Sequence, residues 1–423
     1  MNYKRIDRIL LFTALAILAA ALVFKAAASS LKTTLVFSQW WQTGMEPDTL
    51  ESLIREFEGL HPGIRVRLDT RPYGEIRDRL NLYLKAEDSG GEAAASPEWQ
   101  PDVLGLDQRW LPELTRRGVL EPLEAHTGAG GEGFIAAPQD EKQAVHLVSL
   151  VSLLYFNIDM LRAAGFNRPP KTRAEFISYA EALAGPDRSA LTLALDPADS
   201  RDLYRDVLSW FWASGAKLTG GRGLRFADPP FIETLTFLNA LYQRDCLSRN
   251  VFTTGGEAKL DAFINRRTAM MIGPVQYIKA LRQARAGGGD QDFFGISAVP
   301  VPGSYIGSPV FASEDWYAGI PRSSRHKEEA WMWLAFLARR RSFLTGRASG
   351  ILSGTESRRD PLYAKAADIY ELGEGTYEPL DLEELPAFET ILLEELKALF
   401  EEARTPQEAA AEMQRRWDLR AIR

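Results

Sequence analysis

Apolar residues along this chain follow two alternating rhythms. Short runs of consecutive or every-second apolar positions give way to stretches where they recur every three or four residues, the strand and helix periods of an α/β protein. Residues 34–37 read as a buried strand. Asp48-x-x-Glu51 matches a capping box, and Leu50, Leu53, Ile54, Phe57 and Leu60 then line one helical face until His61-Pro62-Gly63 stops the helix. Residues 64–68 alternate as a strand, 73–85 as a helix and 103–106 as a buried strand, so the chain opens with a βαβαβ unit.

The pattern then changes. A glycine-bearing stretch with Gly128, Gly130, Gly131 and Gly133 precedes a long, mostly apolar run over residues 145–156. A strand of that length exceeds the usual 5 to 6 residues of a single sheet, which predicts a strand passing between two domains. Thr172-x-x-Glu175 caps a helix with Phe176, Ala180 and Leu183 on its buried side. Further helices are expected over 200–213, 230–243, 258–266, 275–285 and 327–340, with strands over 269–272 and 294–299, and a mostly helical tail from Pro386. Small-residue stretches at 89–97 and 286–290 read as linkers or insertions.

The first residues carry an address. Lys4, Arg5 and Arg8 precede an apolar run over residues 9–24, and Ala26-Ala27-Ala28-Ser29 offers a small-residue cleavage site. Residues 1–28 are therefore either a cleaved export signal or a retained N-terminal membrane anchor. Cys246 is the only cysteine, so no intrachain disulfide forms and no lipoprotein attachment point stands at the cleavage site. At 423 residues with a formal net charge of −7, the chain is long enough for two cores and too acidic to suit nucleic acid.

Three separated segments put aromatics beside hydrogen-bonding groups at strand ends: Ser38-Gln39-Trp40-Trp41-Gln42, Leu106-Asp107-Gln108-Arg109-Trp110 and Ser313-Glu314-Asp315-Trp316-Tyr317. Indole faces suit the C–H faces of a sugar ring, and carboxylates and amides suit its hydroxyls. No H-E-x-x-H, C-x-x-C, G-x-S-x-G or Walker A pattern occurs, and the histidines at 61, 126, 146 and 326 lack metal spacing, so neither catalytic nor metal-ligating residues nor a cofactor are assigned.

The order of segments resembles the extracellular solute-binding proteins of carbohydrate ABC transporters, the maltose-binding-protein-like group. The resemblance rests on Pro101-Asp102-Val103-Leu104-Gly105-Leu106-Asp107, Gly118-Val119-Leu120-Glu121-Pro122-Leu123, and Leu154-Tyr155-Phe156-Asn157-Ile158-Asp159-Met160-Leu161. It continues through Phe263-Ile264-Asn265-Arg266-Arg267-Thr268-Ala269-Met270-Met271-Ile272-Gly273, Val299-Pro300-Val301-Pro302-Gly303 and Ala318-Gly319-Ile320-Pro321-Arg322-Ser323-Ser324. It departs at Gln143-Ala144-Val145-His146-Leu147, which lacks the proline many relatives carry after the corresponding strand.

The resemblance implies a two-lobe periplasmic binding protein fold with hinge crossovers and a ligand cleft between the lobes. The lobes would be residues 33–140 with 303–355, and 141–302 with 356–423. It further implies an importer's substrate-binding component that captures a mono- or oligosaccharide, closes by hinge bending and is read by ABC permease subunits at the extracytoplasmic face of a bacterial inner membrane. Carried over residue by residue, the ligand-binding candidates are Trp40, Trp41 and Gln42 after the first strand, and Asp107 and Arg109 after the third. Tyr155, Trp210, Trp212, Met271 and Gly273 follow from the second lobe, with Glu314 and Trp316 on the returning segment. Adjacent Trp40 and Trp41 cannot both face the cleft from a strand end, and Asp107 also fits a helix cap. Arg109 and Arg347 leave an anionic ligand open. Two other classes stand beside transport: a signal-anchored sugar sensor, and an extracellular glycoside hydrolase pairing Asp107 with Glu314.

Overall fold

The computed structural model describes residues 32–41, 45–88, 99–123, 143–199, 201–220, 223–284, 292–303, 307–347, 350, 359–377 and 380–420. The expected export segment 1–28, the loops at 89–97 and 286–290, the glycine stretch and Gln42 lie outside the described residues. In chain order the first half contains β1 (Thr33–Gln39), α1 (Thr49–Leu60), β2 (Ile64–Thr70), α2 (Tyr73–Asp88), β3 (Val103–Asp107), α3 (Leu111–Arg116), β4 (Ala144–Val148), β5 (Ser152–Asn157), α4 (Ile158–Ala163), α5 (Arg173–Leu183) and β6 (Ser189–Leu191). The second half contains α6 (Pro229–Gln243), α7 (Gly256–Ile264), β7 (Thr268–Pro274), α8 (Tyr277–Ala284), β8 (Phe294–Ser297), β9 (Val310–Ala312), β10 (Trp316–Gly319), α9 (Lys327–Arg339), α10 (Arg341–Arg347), α11 (Pro361–Leu372), β11 (Glu374–Thr376), α12 (Leu385–Phe400) and α13 (Pro406–Arg420).

Two sheets organise these elements. The first has the order β2-β1-β3-β10-β4, and the second β8-β5-β7-β6. In the first, β1 pairs parallel with β2 and β3, whereas β10 runs antiparallel between β3 and β4. Every residue of β3 is buried, as befits a central strand covered on both faces.

The apolar run over 145–156 divides at residues 149–151. Its first part is β4 in one sheet and its second is β5 in the other. A strand pairing with both sheets must break where they part, and Leu150 marks that point. The return passage runs through residues 313–315, since β9 pairs with β11 and packs on β5, whereas β10 joins the first sheet. That passage lies ten residues beyond the expected boundary at 303. The two crossovers touch: Val151 bridges Ser313, and the Leu150 N–H donates to Asp315 Oδ1 at 2.8 Å. His146, lying 3.3 Å from Asp315 Oδ2 and against the Tyr317 ring, braces the same point.

Local signals were met unevenly. Thr172 accepts from the Glu175 N–H at 3.2 Å, the expected cap of α5. Asp48 does not cap α1; it adopts φ 58°, and its side chain makes no capping bond. Leu50, Leu53 and Phe57 are buried beneath α1 while Leu60 is 62% exposed, because the stop at His61 lets that turn face solvent.

The helical stretch expected over 200–213 is interrupted. A π-helical turn at Tyr204–Leu208 separates Arg201–Leu203 from Ser209–Trp212. It carries Asp206, fully buried, whose carboxylate accepts from Lys259 Nζ at 2.7 and 2.8 Å, and Lys259 also reaches Asp202 at 3.3 Å. Burial pushes the Asp206 carboxyl up to about 6 even with the lysine beside it. Lys259→Met would leave that carboxyl buried without a cation. We expect it to lower the unfolding free energy by about 3–5 kcal/mol in chemical denaturation, with Asp206→Asn in the same chain restoring part of the loss.

Candidate functional site

Sheet order brings the three aromatic segments together. β1 and β3 run parallel and end side by side, and β10, antiparallel, begins at that same edge; Trp316 is the register partner of Asp107. Strand ends at one edge of an α/β sheet are where ligands bind in such folds. The edge faces the second lobe across a cleft of about 570 Å³.

The first-lobe wall consists of Trp40, Tyr73, Asp107, Arg109, Glu314 and Trp316. Trp40 meets Tyr73 edge-on at 5.2 Å and leans on Trp110 at 5.2 Å. Trp41 stands behind, stacked on Trp316 at 5.6 Å and 5° and edge-on to Phe37 at 5.4 Å. Gly105 makes room for it, since a Cβ there would lie 3.1 Å from the Trp41 ring and 2.9 Å from Gln39 Cβ. Of the adjacent pair, then, Trp40 lines the cleft and Trp41 supports Trp316 from beneath.

Asp107 serves two ends at once. Its Oδ1 accepts from the Arg109 N–H at 2.8 Å, a helix-capping bond, while Arg109 Nε and Nη2 reach its two oxygens at 3.0 and 2.9 Å. The Tyr73 hydroxyl donates to Asp107 at 3.1 Å and accepts from Arg109 at 2.8 Å. Burial alone would raise the Asp107 carboxyl, but the Arg109 charge and these hydrogen bonds hold it below the usual range. Burial raises the Tyr73 phenol, so it remains a donor.

The second-lobe wall is built from Asp202, Arg205, residues 255–258, Pro274, Gln276 and Tyr277, with Leu150 at the crossover. Arg205 reaches Glu314 with Nε at 2.9 Å and Nη2 at 2.7 Å, and its Nη1 bonds Asp202. Ser152, just past the outgoing crossover, donates to Glu314 at 2.8 Å. Burial opposes the Glu314 charge, and Arg205 more than offsets it, leaving the carboxyl below its ordinary range. Gly256 permits Asp202 its place, because a Cβ would stand 2.2 Å from Asp202 Oδ2. Burial lifts the Tyr277 phenol to about 12.

Other bonds tie the lobes beside the cleft. Arg109 lies 4.6 Å over the Tyr204 ring, and Glu389 of α12 accepts from Tyr204 at 3.2 Å and from Arg77 of α2 at 3.3 Å. At the opposite rim Glu46 bonds Lys279 and Arg347. Arg347 is thus held at the rim by Glu46, and Arg109 is engaged by Asp107 and Tyr73, so the two arginines anticipated for an anion do not converge.

Of the candidates from sequence, Trp40, Asp107, Arg109, Glu314 and Trp316 line the cleft. Trp41, Tyr155, Trp210, Trp212, Met271 and Gly273 do not. Trp210 faces Phe176 and Phe237, each at 4.9 Å, while its carbonyl accepts from Arg173. Trp212 is buried on the same short helix, which packs against α6 and β9. Tyr155 and Met271 pair across the centre of the second sheet, and the Tyr155 hydroxyl donates to the Pro274 carbonyl at 2.8 Å. Gly273 acts indirectly: a Cβ would meet the Tyr277 ring at 2.4 Å.

Sequence reasoning missed Tyr73, Asp202, Arg205, Gln276 and Tyr277. Three charges within an apolar helical stretch, Asp202, Arg205 and Asp206 among Leu203, Tyr204, Val207 and Leu208, were a signal, since buried charges must pair or serve a site. Tyr73 stands just past β2, at the same sheet edge as Trp40. Among the described residues no cluster of three or more His, Cys, Asp or Glu is arranged to hold a metal ion.

A two-lobe α/β architecture with a polar, aromatic-walled cleft at the crossovers defines a binding protein. Residues 43–341 match the family of bacterial extracellular solute-binding proteins, and the chain belongs to that family. The multiple sugar-binding protein of Streptococcus mutans is 22% identical over 367 residues, covering 80% of each chain. T. maritima MalE3, solved with maltose, superimposes with a TM-score of 0.70 at 19% identity over 92% of this chain and 100% of its own. The sugar-binding protein MalE of Xanthomonas citri gives 0.69 at 20% identity, over 92% of this chain and 99% of its own.

The Glu314–Arg205 pair is open to direct measurement. With Glu314 22% exposed on its side chain, we expect Glu314→Gln to cost about 1–3 kcal/mol of unfolding free energy at neutral pH. Because the folded carboxyl titrates below its ordinary 4.5, the contribution is complete above that pH and disappears as pH falls through the lower folded value. Denaturation curves of the two proteins should therefore converge in acid.

Proposed function

We propose that the protein captures a carbohydrate in the cleft between its lobes and delivers it to the permease of an ABC importer. The observation that carries this reading is the juxtaposition of Trp40, Tyr73 and Trp316 on one wall with Tyr277 on the other, interleaved with Asp107, Glu314 and Gln276. Aromatic faces supply stacking, while carboxylates, phenols and an amide supply acceptors and donors around a ring's rim. The sugar-binding relatives support the same ligand class.

A ligand touching both walls favours the closed arrangement by its differential affinity, and a permease reads that closure. Membership of an extracellular family supports work outside the cytoplasmic membrane, in keeping with the basic and apolar start of the sequence. Among the described residues no helix is long and apolar enough to cross a membrane. Whether residues 1–28 are removed or retained separates a free binding protein from an anchored sensor, and the mass of the mature N-terminus distinguishes them.

Hydrolysis is the weaker reading on physical grounds. A glycosidase needs one carboxyl held protonated as general acid. Asp107 and Glu314 are instead both paired with arginine and held below the ordinary carboxylate range. Such groups accept hydrogen bonds and do not release protons to a leaving group.

Titration of the purified protein with a panel of neutral saccharides, followed by tryptophan fluorescence and calorimetry, tests the proposal. Trp316→Ala should weaken the responding sugar by more than about tenfold, whereas Trp210→Phe, in the second-lobe core, should change affinity little. Silence across the panel sinks the carbohydrate reading, and release of cleaved product replaces it with hydrolysis.

A further inference from the structure

Away from the crossovers, the described residues bond the lobes to each other at two places that differ in kind. One is the segment leading into α12, a helix that packs on α6 and α13 in the second lobe. Leu382 is fully buried there, and the first lobe takes both of its backbone groups. Its N–H donates to Glu113 Oε2 of α3 at 2.5 Å, and its carbonyl accepts from Asn81 Nδ2 of α2 at 3.0 Å. Glu113 is itself buried and is steadied from its other oxygen by Arg117 at 3.3 Å, which also donates to the Leu84 carbonyl at 2.6 Å.

Ion pairs flank this plug. Arg116 reaches both oxygens of Asp381 at 2.7 Å, and Arg77 reaches Glu389 at 3.3 and 3.4 Å. Tyr73, Arg77 and Asn81 follow one another at intervals of four along α2, and residues so spaced share a helical face. That face carries the contact from the cleft, which Tyr73 lines, out to Leu382.

The other place is the opposite rim. Glu46, between β1 and α1, bonds Lys279 of α8 across the lobes and Arg347 within its own lobe. The side chains are 29% exposed for Glu46 and 33% for Lys279, and Glu46 keeps Arg347 as a partner when Lys279 withdraws. Met45, Pro47, Leu260 and Ala280 line a space of about 350 Å³ at this rim, together with the cleft residues Gln276 and Tyr277.

The two ties respond differently to stress. An ion pair as exposed as the one at the rim adds little, because water competes for both charges and salt screens them. A buried leucine held by two buried hydrogen bonds cannot withdraw without exposing apolar surface and parting both bonds at once, and salt does not screen that cost.

We propose that residues 381–389 form a strap that keeps one side of the cleft shut throughout binding and release, and that the Glu46 rim is the gate. The lobes then part lopsidedly, about a line from the touching crossovers to Leu382, and ligand enters and leaves between Glu46 and Lys279. This inference concerns movement and holds for any ligand the cleft accepts.

The test reads distances between paired spin labels on the whole protein without ligand. Cys246 is buried, which leaves introduced cysteines as the accessible labelling sites. Pro47→Cys with Gln283→Cys spans the rim, and Leu82→Cys with Glu383→Cys spans the strap; all four positions are exposed. Raising the salt, or Lys279→Glu, should lengthen the rim distance and leave the strap distance a single unchanged peak. Leu382→Ala should let the strap distance lengthen as well. Asn81→Ala with Glu113→Ala removes both partners of the Leu382 backbone and gives the same reading if the leucine variant does not fold. A rim distance indifferent both to salt and to Lys279→Glu overturns the gate. A strap distance that lengthens with the rim while Leu382 and its partners are intact, or stays fixed when they are removed, overturns the strap. No sugar enters these readings, so silence across the saccharide panel removes the carbohydrate reading and leaves this inference standing.

Discussion

The bidentate ion pair between Arg205 and Glu314 is the contact on which the cleft depends. Glu314 belongs to the return crossover, Ser152 lies just past the outgoing one, and Arg205 belongs to the second-lobe wall; all three meet on one carboxylate. Little freedom is left there, because two charges drawn out of water are favourable only with good geometry and full hydrogen bonding. The pair also continues inward. Arg205 bonds Asp202, Lys259 bonds Asp202 and Asp206, and so the cleft surface is joined to the interior of the second lobe by an unbroken series of opposite charges. Movement of one lobe against the other must either preserve this series or open it at Glu314, which is its most exposed carboxylate.

That arrangement was only half visible in the sequence. Strand ends carrying Trp40, Asp107 and Trp316 were legible because strand period, glycine stops and segment order place them without knowledge of packing. The crossover was legible too, as an apolar run too long for one sheet. Depth was not legible. Trp210 and Trp212 are as aromatic as Trp40 and lie in a helical stretch near the cleft, yet Phe176 and Phe237 take up the face of Trp210. Composition cannot tell an indole that fills a core from one that lines a cleft. Arg205 was hidden for a different reason: its role comes from a π-helical turn and a partner 109 positions away, and neither local propensity nor spacing encodes such a partner.

Glycines show the same division. Their number in the sequence says little, but three of them shape the site by what they omit. Gly105 admits Trp41, Gly256 admits Asp202, and Gly273 admits Tyr277. Each sits beneath or beside a large or charged side chain, so the cleft wall is set as much by absent methyl groups as by the residues that face the opening.

A pocket whose charges are already matched by the protein has a particular consequence for recognition. Asp107 and Glu314 each spend hydrogen-bonding capacity on arginine, and those arginines spend theirs in return. What remains for a ligand is the outer lone pairs of fixed carboxylates, the phenols of Tyr73 and Tyr277, and aromatic faces held by further aromatics. Groups immobilised in advance lose little rotamer freedom when a ligand arrives, so modest hydrogen bonds to uncharged hydroxyls are retained as affinity instead of being cancelled by ordering. Among the described residues lining the cleft, both guanidiniums, of Arg109 and Arg205, are already paired with carboxylates, so an anion gains less there to offset its desolvation. The same bonds that hold the crossovers in place therefore bias the cleft toward neutral, hydroxyl-rich molecules, and they make hinge geometry and ligand choice two results of one set of contacts.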